Sequence, residues 1–422
     1  MKNILLFGMG KSATCLIDYL SRICRINQWT FTIADASPRK VEADTDSVLR
    51  VVQAQVQDAA VRSALIRSAD IVISLLPPAL HILVAQTCVG ESRHLLTASY
   101  VDDQIRSLEP AILEKKLLFL CEMGLDPGID HMSAMQLIHR IQDQGGLISE
   151  FRSHTGGLVA PESDDNPWHY KVSWNPRNVV RAGSSGAVYK EHNQVRHLLY
   201  QELFEKPGTV SDPHAGSFAF YPNRDSLAYM SLYGLGSAET FIRTTLRHPD
   251  FCRGWKDIVA AGLTEDELPL LAGIKTIADW SAPLKPLVNS FNRPLFESLG
   301  LFATDPLPPQ AASSADILQY LIELHWKMKP EDHDMIVMLH ELGYTLRGKS
   351  QLLKSSLVVK GEDHLRTAMA KTVGLPLGIA ARLILENKIQ LTGLHIPILP
   401  EIYTRVLPEL ENEGIRFNDT VS

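Results

Sequence analysis

The sequence predicts an α/β protein built on a doubly wound parallel sheet. Three observations lead there. Short, wholly apolar runs recur through the first third of the chain, stretches with helical spacing separate them, and the first run opens straight into a glycine turn. Runs that are apolar on every residue belong to strands covered on both faces, which is how parallel sheets flanked by helices are built.

The runs are Ile4 to Phe7, Thr30 to Ala34, Leu49 to Val52, Ile71 to Leu76, His94 to Ala98 and Leu117 to Cys121, six strands in all. The first ends in GMGKSATCLIDYL, a G-x-G-x-x-A turn with Gly8, Gly10 and Ala13 in the three small-residue positions. Gly8 permits the tight turn, Gly10 lets a pyrophosphate approach the backbone beside Lys11 and Ser12, and the helix that follows aims its amides at the phosphates. At the first strand of a repeating strand-helix series, this turn predicts a Rossmann-type dinucleotide site.

Asp35 closes the second strand, where a carboxylate accepts hydrogen bonds from an adenosine ribose and favours NAD; Arg39 and Lys40 follow closely enough to meet a 2′-phosphate instead. A plain turn cap by Asp35 and Ser37 is the structural alternative. Asp58, after the third strand, fits a helix N-cap better than an adenine contact. Leu76 and the pair Pro77-Pro78 end the fourth strand abruptly at the carboxyl edge of the sheet, where such folds bind ligands.

Ser99 and Tyr100 follow the fifth strand, and Asp126 follows the sixth in MGLDPGIDHMSA, so all three are expected at the edge that carries Gly8 and Gly10. A loop passing a cofactor there has to turn without bulk. Gly124 and Gly128 supply the turns, Pro127 fixes a dihedral, Leu125 and Pro127 flank the cofactor, and Asp126 points into the crevice. Asp130 reads as a helix N-terminal charge.

Beyond a helix from Ile129 to Gln144, the stretch FRSHTGGLVAPESDDNPWHYKVSWNPRNVV looks like a long irregular loop, a lid or substrate wall, since a surface excursion would expose Trp168 and Trp174. Arg224, Arg243 and Arg247 are of the residue type that clamps carboxylates, although isolated arginines commonly serve surface ion pairs. From Asp250 to about Tyr344 the spacing predicts helices, whose His and Met residues read as core or surface. No ligand spacing points to a metal.

Forty-eight acidic against 41 basic residues give a net charge of −7 with no basic run, which excludes nucleic acid and anionic membrane as expected partners. Pro77 and Pro78 cut the longest apolar region short of a bilayer span, and NILLF breaks at the glycine turn too early for a signal peptide. Five cysteines, Cys15, Cys24, Cys88, Cys121 and Cys252, form no C-x-x-C pair and fit a reducing cytoplasm.

The segments ISLLPPALH, LTASYVDD, EMGLDPGIDHMSAM, GGLVAPESDDNPWHYKVSWNPR, FAFYPNRDS and AKTVGLPLGIAARLIL together resemble the saccharopine dehydrogenases that form L-glutamate, also called saccharopine reductases. The resemblance covers almost the whole chain. It implies oxidation of saccharopine by NAD or NADP and hydrolysis of the imine to glutamate and 2-aminoadipate 6-semialdehyde. It further implies Asp126 and Tyr100 near the reacting amine, Ser99 on the substrate, Arg224 with Arg243 or Arg247 as carboxylate clamps, and a homodimer. The implied layout is a dinucleotide domain over 1–128 rejoined by about 388–422, a mixed α/β substrate and dimer domain over 129–240 and about 345–387, and a helical insertion over 241–344.

Two departures stand out. Where many relatives read Y-C-G-G this chain has His154-Thr155-Gly156-Gly157, which excludes a thiol role, and the NADP-using relatives carry a basic residue where Asp35 stands. Two other activities fit the superfamily: dehydrogenation of another amine such as lysine, carboxynorspermidine or homospermidine, and cofactor binding without turnover in a regulator.

Overall fold

In the computed structural model, which describes residues 2–39 and 48–422, the expected strands form with bounds within a few residues of those predicted. They are β1 (Asn3–Phe7), β2 (Thr30–Asp35), β3 (Leu49–Gln53), β4 (Ile71–Ser74), β5 (His94–Thr97) and β6 (Leu118–Leu120). A seventh strand, Gly393–His395, pairs in parallel with β6. The sheet order runs from that strand through β6, β5, β4, β1 and β2 to β3, every pair parallel. Outward from β1 the two arms are wound in opposite directions, so β1 and β4 flank the switch point where such sheets bind their ligands.

Helices alternate with these strands: α1 (Thr14–Asn27), α2 (Ala59–Ser68), α3 (Pro78–Gly90), α4 (Asp103–Arg106), α5 (Glu109–Glu114) and α6 (Ile129–Asp143). Helix α1 buries Leu16, Ile17, Leu20 and Cys24, the stripe that its i, i+3, i+4 spacing defines. The return segment adds a long apolar helix, Ala368–Leu385, whose apolarity reflects packing inside the protein: it is 83% buried. Gly374 and Gly378 let it lie close on α1, since a Cβ at Gly374 would stand 2.9 Å from the Leu16 Cβ and one at Gly378 only 2.7 Å from the Tyr19 ring.

The chain divides into two compact units, Met1–Arg140 with Ala368–Arg416, and Ile141–Thr367 with Phe417–Ser422. The first unit is thus rejoined at 368, earlier than the expected 388, because the helix Ala368–Leu385 packs on α1. The last strand, Phe417–Val421, leaves the first sheet altogether and pairs with the second.

The second unit is built on a ten-stranded mixed sheet. Its strands include β7 (Leu147–Val159), β8 (Ala187–Glu191), β9 (Gln194–Leu198), β10 (Gly208–Asp212), β11 (Gly216–Pro222), β12 (Arg224–Asp225), β13 (Thr240–Arg247), β14 (Asp334–Leu346) and β15 (Lys349–Lys360). Two expectations are corrected here. The segment FRSHTGGLV is part of β7 rather than a loop, pairing with β13 on one side and β14 on the other. The expected helical insertion over 241–344 begins inside β13 and ends inside β14, and it forms one compact unit with the sheet. Strand β14 is buried on seven successive residues, and a run apolar on both faces carries no period that separates strand from helix.

Helices between these strands, among them Pro249–Ala260 and Ser314–His325, close over an aromatic core of Trp168, Phe251, Trp255 and Trp326. Trp168 is fully buried, and its indole N–H donates to the Leu295 carbonyl at 2.7 Å. The aromatic stretch read as a lid or wall therefore sends Trp168 inward as an anchor.

Candidate active site

The glycine turn is shaped as the sequence predicts. Gly8 has φ +99°, and a Cβ there would meet the Leu75 carbonyl oxygen at 2.5 Å, so a side chain is excluded on both counts. At Gly10 a Cβ would find nothing within 4 Å, which leaves the open approach that a pyrophosphate requires. Lys11 is exposed, Ser12 half-buried and Ala13 buried under the first turn of α1. These residues fit a dinucleotide.

Asp35 ends β2 and accepts the Met9 amide on Oδ2 at 2.7 Å and the Ser37 amide on Oδ1 at 2.8 Å, so it braces the glycine turn as well as its own. Arg39 donates to the Thr14 hydroxyl at 2.7 Å at the start of α1, and Lys40 lies outside the described residues. Asp58 caps α2, its Oδ1 accepting from Ala60 and Val61 at 3.0 and 3.1 Å. Leu76 is half-buried and Pro77 exposed at the end of β4, while Leu125 and Pro127 are buried.

The loops after β5 and β6 are tied into one piece. The Glu122 amide donates to the Ser99 carbonyl, the Met123 amide to the Thr97 carbonyl, and the Val101 amide to Glu122 Oε1, at 3.0, 3.0 and 3.1 Å. Glu122 Oε2 lies 2.9 Å from His131 Nε2, both groups buried. Asp130, 1% exposed, accepts the Gly128 amide at 2.6 Å, which makes it a loop clasp at the start of α6. Gly128 (φ +145°) closes on Gly124, whose own Cβ would stand 2.9 Å from that of Ala98, and the Asp126-Pro127 peptide is cis. This packing leaves Asp126 half-buried at the sheet edge with the Tyr100 hydroxyl donating to its Oδ1 at 3.4 Å.

Ser99 completes the group. Its hydroxyl is 2.7 Å from His81 Nε2, and His81 Nδ1 is 2.8 Å from the Ser74 hydroxyl. Burial pushes the His81 imidazole down to about 4 while Asp102 works in the opposite direction, so the ring is neutral at physiological pH. The sequence placed Ser99, Tyr100 and Asp126 together but missed His81, Glu122 and His131; a histidine in the otherwise apolar PPALHILVA was the available signal for the first.

In the second unit, Arg224 is exposed on β12 with φ +53°, paired to β8 at Ala187. The chain around it wraps Arg243: the Asn223 amide donates to the Arg243 carbonyl at 2.9 Å, and the Arg243 amide donates to the Ser226 hydroxyl at 3.0 Å. Arg243 is 3% exposed with its guanidinium 4.5 Å from the centre of the Tyr229 ring. Arg247, also buried, shares the strand face of Arg243. It stacks over Tyr170 and Phe251 and donates to the Leu246 carbonyl at 2.8 Å, and its Nε has no hydrogen-bond partner among the described residues.

His154 takes up a structural place inside the sheet, Nδ1 2.7 Å from the Thr244 hydroxyl and Nε2 3.5 Å from Glu341. Elsewhere, His169, His248 and Asp250 bring ligating atoms within 4.8 Å of one another. These residues already have protein partners: His169 Nδ1 meets Asp164 at 2.5 Å, His248 caps the helix Pro249–Ala260 with Nδ1 accepting the Asp250 amide at 3.3 Å, and Arg253 holds Asp250 Oδ1.

Comparison with known proteins agrees with this geometry. Residues 4–120 match the saccharopine dehydrogenase NADP binding domain and residues 124–415 the saccharopine dehydrogenase C-terminal domain. The chain is 31% identical to the saccharopine dehydrogenase [NADP(+), L-glutamate-forming] of Saccharomyces cerevisiae, over 98% of this chain and 97% of that one. It is 34% identical over 99% of its length to the mitochondrial alpha-aminoadipic semialdehyde synthase of Rattus norvegicus, of which it spans about half (47%). An apo saccharopine dehydrogenase (L-Glu forming) structure from S. cerevisiae superposes with a TM-score of 0.86, at 28% identity and full coverage of both chains. The first unit is accordingly an NAD(P)-binding domain, and the chain belongs to the saccharopine dehydrogenase family.

Proposed function

We propose that this chain oxidises L-saccharopine with a nicotinamide cofactor and hydrolyses the resulting imine to L-glutamate and L-2-aminoadipate 6-semialdehyde, a reversible step of lysine metabolism. The observation that carries this reading is the Ser99, Tyr100 and Asp126 group, held at the carboxyl edge of the dinucleotide sheet in a chain similar over its full length to enzymes of that name.

The bound nicotinamide supplies a hydride acceptor. The protein's part is to present the substrate amine uncharged, because an ammonium nitrogen has no lone pair to form the C=N bond as hydride departs. Asp126, with the Tyr100 hydroxyl on its Oδ1, is the candidate to receive the amine proton. Water then adds to the iminium carbon, and the same pair assists loss of the amine. The substrate carries three carboxylates, for which Arg224 and Arg243 are the proposed cationic partners. Arg247 is a further candidate on its buried, incompletely paired guanidinium.

For the cofactor we favour NADP. Each oxygen of Asp35 already accepts a backbone amide, and the Arg39 guanidinium sits beside the first turn of α1. A homodimer and a reducing, cytoplasmic setting belong to the same proposal; the five cysteines, none of them in a disulfide, support the setting, and light scattering tests the dimer. Initial rates of nicotinamide reduction with saccharopine, in parallel with NADP and NAD, test the whole. Turnover with NADP preferred is the expected result, and protein that binds a cofactor yet reduces none of it with saccharopine overturns the proposal.

A further inference from the structure

Ser74, His81 and Ser99 form a hydrogen-bonded chain that runs from the interior of the first unit to the candidate site. Ser74 ends β4 with no exposed surface, His81 is 4% exposed on α3, and Ser99 is half-exposed after β5. The two links measure 2.8 and 2.7 Å.

The buried end fixes the direction of the chain. Among the described residues the Ser74 hydroxyl has one partner, His81 Nδ1, and its position denies it bulk water. Its hydrogen therefore goes to Nδ1, because the opposite arrangement leaves a buried hydroxyl hydrogen unpaired. A neutral imidazole has one N–H. With Nδ1 accepting, that N–H is at Nε2 and is donated to Ser99 Oγ. Ser99 then cannot give its own hydrogen to the ring and has to direct it outward. The low proton affinity of the buried ring keeps it in this neutral form.

We propose that Ser74 and His81 hold Ser99 as an outward-facing hydrogen-bond donor, and that Ser99 binds a carboxylate of the substrate rather than its ammonium. His81 is on this account a positioning residue that acts through Ser99. The next residue, Tyr100, donates to Asp126, a carboxylate that can only accept. The donor Ser99 is thus next in the chain to Tyr100, which holds the acceptor Asp126, a donor and an acceptor of the kinds that the carboxylate and amine of an amino-acid substrate require. The tautomer follows from the fold alone, while the identity of the acceptor rests on the proposed saccharopine activity.

The test is a long-range proton–nitrogen correlation spectrum of the full chain labelled in its imidazole rings, with His81 assigned by its loss in His81→Asn. The Nε2–H tautomer is expected in the wild type and a mixture of tautomers in Ser74→Ala. In steady-state assays Ser74→Ala should raise the KM for saccharopine about tenfold, the scale of one hydrogen bond to a charged group, with kcat nearly unchanged. That effect should vanish in a Ser99→Ala background. An Nδ1–H ring in the wild type overturns the directional chain, and an equal KM rise with and without Ser99 overturns its action through Ser99. The ring is observed without substrate, so an Nε2–H ring in a protein that does not turn over saccharopine overturns the carboxylate assignment through the failed activity alone.

Discussion

Asp126 is half-buried, accepts a hydrogen bond from the Tyr100 hydroxyl, and is set on a loop clasped by Asp130 at Gly128 and braced by the Glu122–His131 pair. If it takes the amine proton, Asp126→Asn lowers kcat/KM for saccharopine by about 10²- to 10³-fold and removes the acidic limb of the pH profile. Full activity across the profile would contradict the role. His81 gives a second residue-scale prediction that concerns stability. Its folded value of about 4 lies below the ordinary 6.5, so the unfolded chain takes up the proton first. The stabilisation is complete above about pH 6.5 and is lost as pH falls through 4, roughly 3 kcal/mol in all. Chemical denaturation at a series of pH values should show His81→Asn losing less stability than the wild type over that window; parallel losses would contradict it. Ser99, Tyr100 and Asp126 were legible in the sequence because each follows a recognisable strand in a distinctive phrase. Their supports were not, since Glu122 with His131 and His81 with Ser74 and Ser99 are pairings that only folding reveals. Asp58 was legible in its local role, a cap set by its own backbone neighbours.

At the scale of elements, the parallel sheet was readable because each strand is apolar, short and punctuated by a turn. The second sheet was not. Strand β14 is apolar on both faces and reads as helix or strand alike, and the GG of β7 looks like a turn in isolation. Gly156 is needed there because a Cβ would stand 2.6 Å from the Leu246 Cβ on the neighbouring strand. The junction of α1 with the helix Ala368–Leu385 makes a similar demand. Gly374→Val should cost about 2 kcal/mol through overpacking against Leu16, read as a lower denaturation midpoint with an unchanged slope. A midpoint equal to the wild type would show that the helix moves away freely. At the N-terminus of α2, Asp58→Ala should cost about 1 kcal/mol and leave the KM for the cofactor unchanged; a rise in that KM would return Asp58 to the adenine site.

The whole molecule consists of two units, each closed by a segment that returns from later in the chain. Domain boundaries were the least legible feature, because the sequence does not announce that the helix after Thr367 packs on α1 while Phe417–Val421 joins the other sheet. Within the second unit, Glu341 bridges strands of that sheet. The His154 imidazole and then, against the cost of burial, the Lys354 ammonium at 2.6 Å hold its carboxyl down to about 2. Its contribution is therefore present above the ordinary glutamate value of 4.5 and is lost as pH falls through about 2. Glu341→Gln should flatten the wild-type decline in stability across that range, and an unchanged acid limb would contradict the bridge. The central claim concerns which C–N bond of saccharopine is broken. Incubating the chain with saccharopine and NADP and identifying the products by mass spectrometry tests it most directly. Glutamate and aminoadipate semialdehyde, formed one to one with reduced cofactor, are the predicted result; lysine with 2-oxoglutarate, or no product at all, would contradict it.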